Sequence, residues 1–251
     1  MPEGTAAGDF APTAWSVVLR AKDPDDPGCR AALERLCATY WEPVYVYVRR
    51  RGSGTEDARD LTQGFFAHLL EKGLLERVER GRGRFRSYLL AVLSNYLANE
   101  RRLVRAGKRG GGAAPRSLDL ERAESDARFE PADPETPDAA FRRSWAVSVL
   151  EAGLETLGRE LEARGRRAHF EALRDHLAAA GTRPSYAELA ARLGSGTTVA
   201  DVTNILHRAR VRLREIVRSR LRDGVENEAE LEDEVKDLFA AFERKSPGLT
   251  S

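Results

Sequence analysis

Between Thr198 and about Arg222 the sequence TVADVTNILHRARVRLREIVRSRLR puts two chemistries on one helical repeat. Val199, Val202, Leu206, Ala209, Leu213 and Ile216 recur at the three- and four-residue steps of a buried stripe. Off that stripe stand Thr198, Thr203, Asn204, His207, Arg208, Arg210 and Arg212, then Arg214, Arg218, Arg220 and Arg222. Short polar side chains of this kind reach base edges in a DNA major groove. Arginines further along neutralise phosphates and set register without reading sequence. Upstream, Ser185-Tyr186-Ala187-Glu188 is a capping-box signature for a short helix that ends at Gly194. A capped short helix, a glycine-bearing turn and a longer basic helix make a helix-turn-helix candidate. Either Thr198 or Asp201 can cap the longer helix, so its first residue stays open.

Catalytic chemistry fits poorly. The four histidines, His68, His169, His176 and His207, show no metal-ligand spacing. Gly107-Lys108 is followed by Arg109, where a P-loop needs Ser or Thr. The acidic stretch Glu226 to Asp237 lacks the oxygen-ligand pattern of a calcium loop. Cys29 and Cys37 are the only cysteines, too few for a disulfide framework or a zinc cluster. No catalytic residue, metal site or cofactor is expected, and the chain reads as a non-enzyme. Its longest strictly apolar run, Leu89 to Leu93, is far below a membrane span. The start MPEGTAAGDF shows no signal peptide, so a reducing cytoplasm is the expected compartment and no membrane is expected as a partner.

Charge marks out the organisation. The chain has 251 residues and a net charge of +1, but the average hides strong segregation. Residues 1–30 carry −2, residues 31–116 carry +8, residues 117–140 carry −6, residues 141–222 carry +7 and residues 223–251 carry −6. Two basic blocks joined by an acidic segment suggest a polyanionic partner. The expected division is an N-terminal extension (1–30), a first helical domain (31–105), a flexible acidic linker (106–140), a helix-turn-helix domain (141–222) and an acidic tail (223–251).

The elements that must carry these residues all read as helix. Leu33, Leu36, Cys37, Tyr40, Trp41, Val44 and Val48 form a first stripe, with Pro43 predicted to kink or break it near 39–42. Thr55 is the expected cap of a second helix, with Glu56 and Asp57 at its positive end and Ala58, Leu61, Phe65 and Leu69 inward. Phe85, Tyr88, Leu89, Val92, Leu93, Tyr96 and Leu97 make a third, after the basic loop at residues 78–86. No strand pattern survives, so the fold class is all-α, two helical domains on a linker.

Within the first block, DARDLTQGFFAHLLEK (Asp57 to Lys72) resembles the signature of bacterial RNA polymerase sigma factors of the extracytoplasmic-function type. FRSYLLAVLSNYLANERR (Phe85 to Arg102) is similar to that family's promoter-melting helix: an aromatic-Leu pair, Tyr88-Leu89, then Asn95, then Arg101 and Arg102. Val202 and His207-Arg208-Ala209-Arg210 match its downstream recognition helix, and the resemblance spans about residues 14–222. It implies a region 2-like bundle and a region 4-like helix-turn-helix. Asp57, Asp60, Leu61, Gln63 and Phe65 would meet the clamp helices of core RNA polymerase. Arg84, Phe85, Arg86, Tyr88 and Asn95 would receive the −10 promoter element, where a flipped base needs a pocket, a stacking surface and cations. Arg101, Arg102 and Arg105 would hold phosphates. Thr198, Thr203, Asn204, His207, Arg208, Arg210 and Arg212 would meet the −35 element, and the same domain the polymerase flap. An anti-sigma or recruiting protein is a further implied partner. Two positions depart from the pattern: Gly64 stands where an acid is frequent, and Tyr88 where Trp is common.

A stand-alone helix-turn-helix regulator is the alternative, with the first block serving oligomerisation or effector binding; an interaction adaptor with an acidic partner is a third. In the tail, Leu231, Val235, Leu238, Phe239 and Phe242 stripe an acidic helix. That helix either packs on the second domain or docks as a partner or autoinhibitory element competing with DNA for the Arg208–Arg222 face.

Overall fold

Apolar residues at helical spacing close into two bodies in the computed structural model, which describes residues 15–79, 84–109, 135–178, 183–194, 196–222, 225 and 227–242. Among the described residues every regular element is a helix: α1 (Trp15–Ala21), α2 (Cys29–Arg50), α3 (Thr55–Glu71), α4 (Phe85–Arg109), α5 (Pro137–Ala163), α6 (Arg167–Leu177), α7 (Tyr186–Leu193), α8 (Val199–Arg222) and α9 (Glu228–Ala240). The chain divides into compact units at Trp15–Trp145 and from Ala146 onward.

In the first unit, α2 buries Leu36, Tyr40, Val44, Tyr47 and Val48, α3 buries Ala58, Phe65, Phe66 and Leu69, and α4 buries Phe85, Leu89, Leu93 and Leu97. Helix α2 runs through Pro43 as one element, so of the two expected outcomes, a kink or a break, the break does not occur. A proline interrupts one backbone bond of the ladder, but Tyr40, Val44 and Tyr47 are buried on either side and hold both halves in the core. Helix α3 is not capped by Thr55 as expected. Gly54, extended at φ −60 and ψ 170, occupies the cap without a side-chain bond, and Thr55 is the first helical residue. Glu56 and Asp57 do fall in the first turn, where they complement the helix dipole. Helix α3 closes at Gly73, whose φ of +57 suits glycine. The amides of Gly73 and Leu74 bond back to the Leu70 and Leu69 carbonyls, the Schellman pattern.

The expected edges of the acidic linker shift. Helix α4 continues to Arg109 and α5 already starts at Pro137, so both ends of the segment 106–140 are helical. The expected domain boundary at 141 falls inside α5, whose residues up to Trp145 belong to the first unit. Phe141 explains this. It is fully buried, stacked on Tyr40 at 6.3 Å and edge-on to Tyr47 at 6.5 Å. Residues 1–14 and 110–134 of the expected extension and linker lie outside the described residues, as do 80–83 of the basic loop and 243–251 of the tail.

In the second unit, α5 and α8 cross closely. A Cβ on Gly153 would meet Val217 Cγ2 at 2.9 Å and Leu213 Cδ1 at 3.2 Å, so glycine permits the approach. Leu157, Leu173, Leu189, Leu206, Leu221 and Leu231 fill the interior between α5, α6, α7, α8 and α9.

Candidate nucleic-acid and polymerase faces

Two capping boxes frame the helix-turn-helix. Ser185 Oγ accepts from the Glu188 amide at 3.2 Å, while Glu188 Oε2 accepts from the Ser185 amide at 2.7 Å. At α8 the Thr198 hydroxyl accepts from the Asp201 amide at 3.2 Å, and Asp201 Oδ2 accepts from the Thr198 amide at 2.9 Å. The open question of the cap is thereby answered: Thr198 caps and Asp201 closes the box. These bonds hold the carboxyls of Glu188 and Asp201 below their ordinary pKa. Thr198 Oγ also donates to Asp201, so its side chain serves the fold at the position where a DNA contact is expected.

From that cap, α8 turns one stripe to solvent. Thr203, Asn204, His207, Arg208, Arg210 and Arg214 are exposed, and the opposite side, Val202, Leu206, Ala209, Leu213 and Ile216, is buried. Among the described residues no carboxylate pairs with Arg208, Arg210 or Arg214. Arg212 differs. Its Nε and Nη2 donate to both oxygens of Glu160 on α5 at 2.8 and 2.6 Å, and Nη1 donates to Glu215 at 2.9 Å. This fork raises the Arg212 pKa and lowers that of Glu160. The structure places Arg212 as a tie between α5 and α8 and apart from the free cations. Arg220 is likewise turned to α5, donating to Thr156 Oγ1 at 2.5 Å.

Helix α4 has a polar solvent edge along which Asn95 and Arg102 lie two turns apart, both exposed. Asn99 lies between them, exposed, and the sequence reading passed over it; its spacing of four from Asn95 was the available signal. Five of the other residues expected at the −10 element, Arg84, Phe85, Arg86, Tyr88 and Arg101, are drawn inward. Phe85 is 6% exposed and packs edge-on to Tyr40 at 5.4 Å, so it offers no free stacking face. Arg86 is 5% exposed, its guanidinium 4.2 Å above the Trp145 ring. Tyr88 is half-buried and its hydroxyl donates to the Leu74 carbonyl at 2.5 Å; burial pushes its pKa up, against the pull of Arg77. Arg84 is half-buried at the helix entry. Arg101 is half-buried and donates to the Arg51 carbonyl at 3.0 Å, joining α4 to the end of α2. The Arg105 side chain lies outside the described residues.

On α3, Asp60 and Gln63 are exposed and Asp57 and Leu61 half-buried, so these four share the side away from the core. Phe65 is on the other side, wholly buried between Phe66 and Tyr96 with ring centroids 5.5 and 5.8 Å away. Phe65 serves the core and presents nothing to a partner.

Among the described residues no group of His, Cys, Asp and Glu is arranged to hold a metal ion, and no helix is long and apolar enough to cross a membrane. No family model, curated protein or solved structure matches this chain.

Proposed function

We propose that this chain is a promoter-specificity subunit, a sigma factor of the extracytoplasmic-function type. It recruits core RNA polymerase in the cytoplasm, directs it to a promoter and is not itself an enzyme. The observation that carries the DNA-binding part of this reading is the solvent stripe of α8. Asn204 and His207 lie in its N-terminal half, with Arg208, Arg210 and Arg214 beside them, behind a capped α7. Side chains with both donor and acceptor character at the front discriminate bases, and the unpaired guanidiniums beside them neutralise phosphates.

The α3 face supports a polymerase partner. Asp57, Asp60, Leu61 and Gln63 lie together on the side away from the core, the side on which the clamp helices would pack. Asn95 and Arg102 on α4 supply the polar edge for the −10 strand, joined by Asn99. The α7–α8 geometry serves a stand-alone DNA-binding regulator equally well; the α3 face separates the two readings, since a simple regulator has no use for it.

Reconstitution tests this. With purified core enzyme, the protein is expected to co-elute as a holoenzyme and to yield promoter-dependent transcripts from templates enriched by binding-site selection. Asp60→Arg should abolish co-elution while leaving duplex binding intact. Absence of both complex and transcripts overturns the sigma reading, and retained duplex binding would then favour the regulator.

A further inference from the structure

The basic stripe of α8 does not end at Arg214. Asn204, His207, Val211, Arg214, Arg218 and Arg222 follow at steps of three and four, so Arg218 and Arg222 continue the solvent edge on which the DNA reading rests. These last two are not free. Arg218 is ion-paired to Glu228, and its Nη2 lies 2.6 Å from Glu232 Oε1. Arg222 Nη2 lies 3.0 Å from Glu228 Oε2. Glu228 reaches both arginines and Glu232, one turn on, reaches Arg218, so α9 runs back along α8 and sets an acidic pair over a basic pair. Leu231 and Leu238, buried at 0% and 3% exposure, hold it there, and Asn227 caps its start by accepting from the Glu230 amide at 2.9 Å.

We infer that α9 is a built-in electrostatic competitor of nucleic acid, occupying Arg218 and Arg222 of α8 with the carboxylates of Glu228 and Glu232. The inference rests on the DNA-binding reading of α8 and concerns how that face is regulated. Each carboxylate sits where a phosphate oxygen would sit on the same guanidinium. While α9 stays docked, the phosphate-neutralising set on α8 is limited to Arg208, Arg210 and Arg214. Anything that lifts the acidic helix, such as a basic surface on a partner protein, extends that set by two cations and tightens the grip on DNA without changing which bases are read.

The test measures binding of the full chain to a labelled mixed-sequence duplex across a salt series. Glu228→Gln/Glu232→Gln keeps the length and helical tendency of α9 and removes its charges. The variant is expected to bind several-fold tighter at low salt, with a log–log salt dependence steeper by about one to two, since each added phosphate contact contributes roughly 0.9. Arg218→Gln/Arg222→Gln should leave the wild-type salt dependence unchanged and should cancel the gain when combined with the glutamine pair. Circular dichroism reports whether α9 stays folded; if it unfolds, the arginine variants in the wild-type background still decide. A glutamine pair that binds like the wild type, or arginine variants that flatten the wild-type salt dependence, overturns the inference. If no variant, the wild type included, binds duplex in a salt-dependent way, the DNA reading of α8 itself fails and takes this inference with it.

Discussion

The hydroxyl of Tyr96 on α4 stands 2.5 Å from the point where a Cβ on Gly64 of α3 would lie. Gly64 is the position at which the resemblance leads one to expect an acid. The structure gives the glycine a packing reason, because α3 and α4 approach closely with the Tyr96 ring wedged between Phe65 and His68. Gly64→Ala gains about 1 kcal/mol of helix propensity but must push the tyrosine aside. The single variant should therefore be no more stable than the wild type. In a Tyr96→Phe background the nearest ring carbon is 3.7 Å away and the gain should appear. Chemical denaturation of the four proteins should give a coupling of about 1 kcal/mol; simple additivity would show that the ring moves without cost.

The same tyrosine sets an alkaline limit. Burial, reinforced by the Glu100 carboxylate, pushes the Tyr96 pKa from 10.0 up to about 12. Since the folded value exceeds the unfolded one, its contribution to stability is complete below about pH 10 and is lost as pH rises toward 12. Stability measured over that window should fall in the wild type, and Tyr96→Phe should flatten part of the fall. Identical curves would place the burial cost elsewhere.

Arg86 illustrates how a residue typed for DNA becomes a structural one. Its guanidinium lies on Trp145, at the point where the first turns of α5 join the first unit through Phe141. A desolvated cation–π pair of this kind contributes about 2 kcal/mol. Arg86→Ala should lower the unfolding free energy by about that amount and alter the tryptophan fluorescence. Should the variant lose promoter melting at undiminished stability, Arg86 would return to the −10 interface.

How far these roles were legible depends on sequence separation. Ser185 and Glu188 are three residues apart and announce their capping box in a local pattern, and the stripes of α4 and α8 repeat over several turns, so the helices and their inner faces could be read directly. The partners of Arg212 and Arg86 could not. Glu160 is 52 residues from Arg212, and Trp145 is 59 residues from Arg86. A charged residue on an amphipathic face looks the same in sequence whether its counter-charge is a phosphate or a distant carboxylate. The cap of α3 was missed by one residue: the helix starts at Thr55 itself, so Gly54 holds the cap position and the threonine hydroxyl lies one place too late to cap.

Arg208 and Arg212 separate two kinds of arginine on one helix. Arg208 is exposed, and its Nε donates only weakly back to the Asn204 carbonyl at 3.4 Å, whereas Arg212 is held by Glu160 and Glu215. Arg208→Ala should reduce the salt dependence of duplex binding by about one, uniformly across sequences. Arg212→Ala should leave it nearly unchanged and cost thermal stability, through the lost tie to α5. Asn204→Ala, beside them, should change the preference for particular bases by roughly 1–3 kcal/mol. Equal loss on every sequence would assign Asn204 to the backbone of the DNA.

The two capping boxes predict how acid loosens the α7–α8 pair. Glu188 and Asp201 each accept hydrogen bonds from the residue they close upon, Ser185 and Thr198, and each is held below its ordinary pKa. A carboxyl depressed on folding contributes stability that is present above its unfolded pKa and lost as pH falls through the folded one. The helix-turn-helix should therefore lose stability below about pH 4.5 as both boxes protonate. The protection of the Glu188 and Asp201 amides, the two bonded to the cap hydroxyls, taken relative to their intrinsic exchange rates, should fall there before the cores of α5 and α8 open. Ser185→Ala and Thr198→Ala should each cost about 1 kcal/mol at neutral pH and remove the corresponding pH dependence of protection. Because Thr198 caps α8, the second substitution should also weaken duplex binding by fraying the turn that leads to Thr203 and Asn204, while Ser185→Ala leaves those residues in register. Equal effects of the two on DNA affinity would mean that the caps stabilise the unit as a whole and do not position the front of α8.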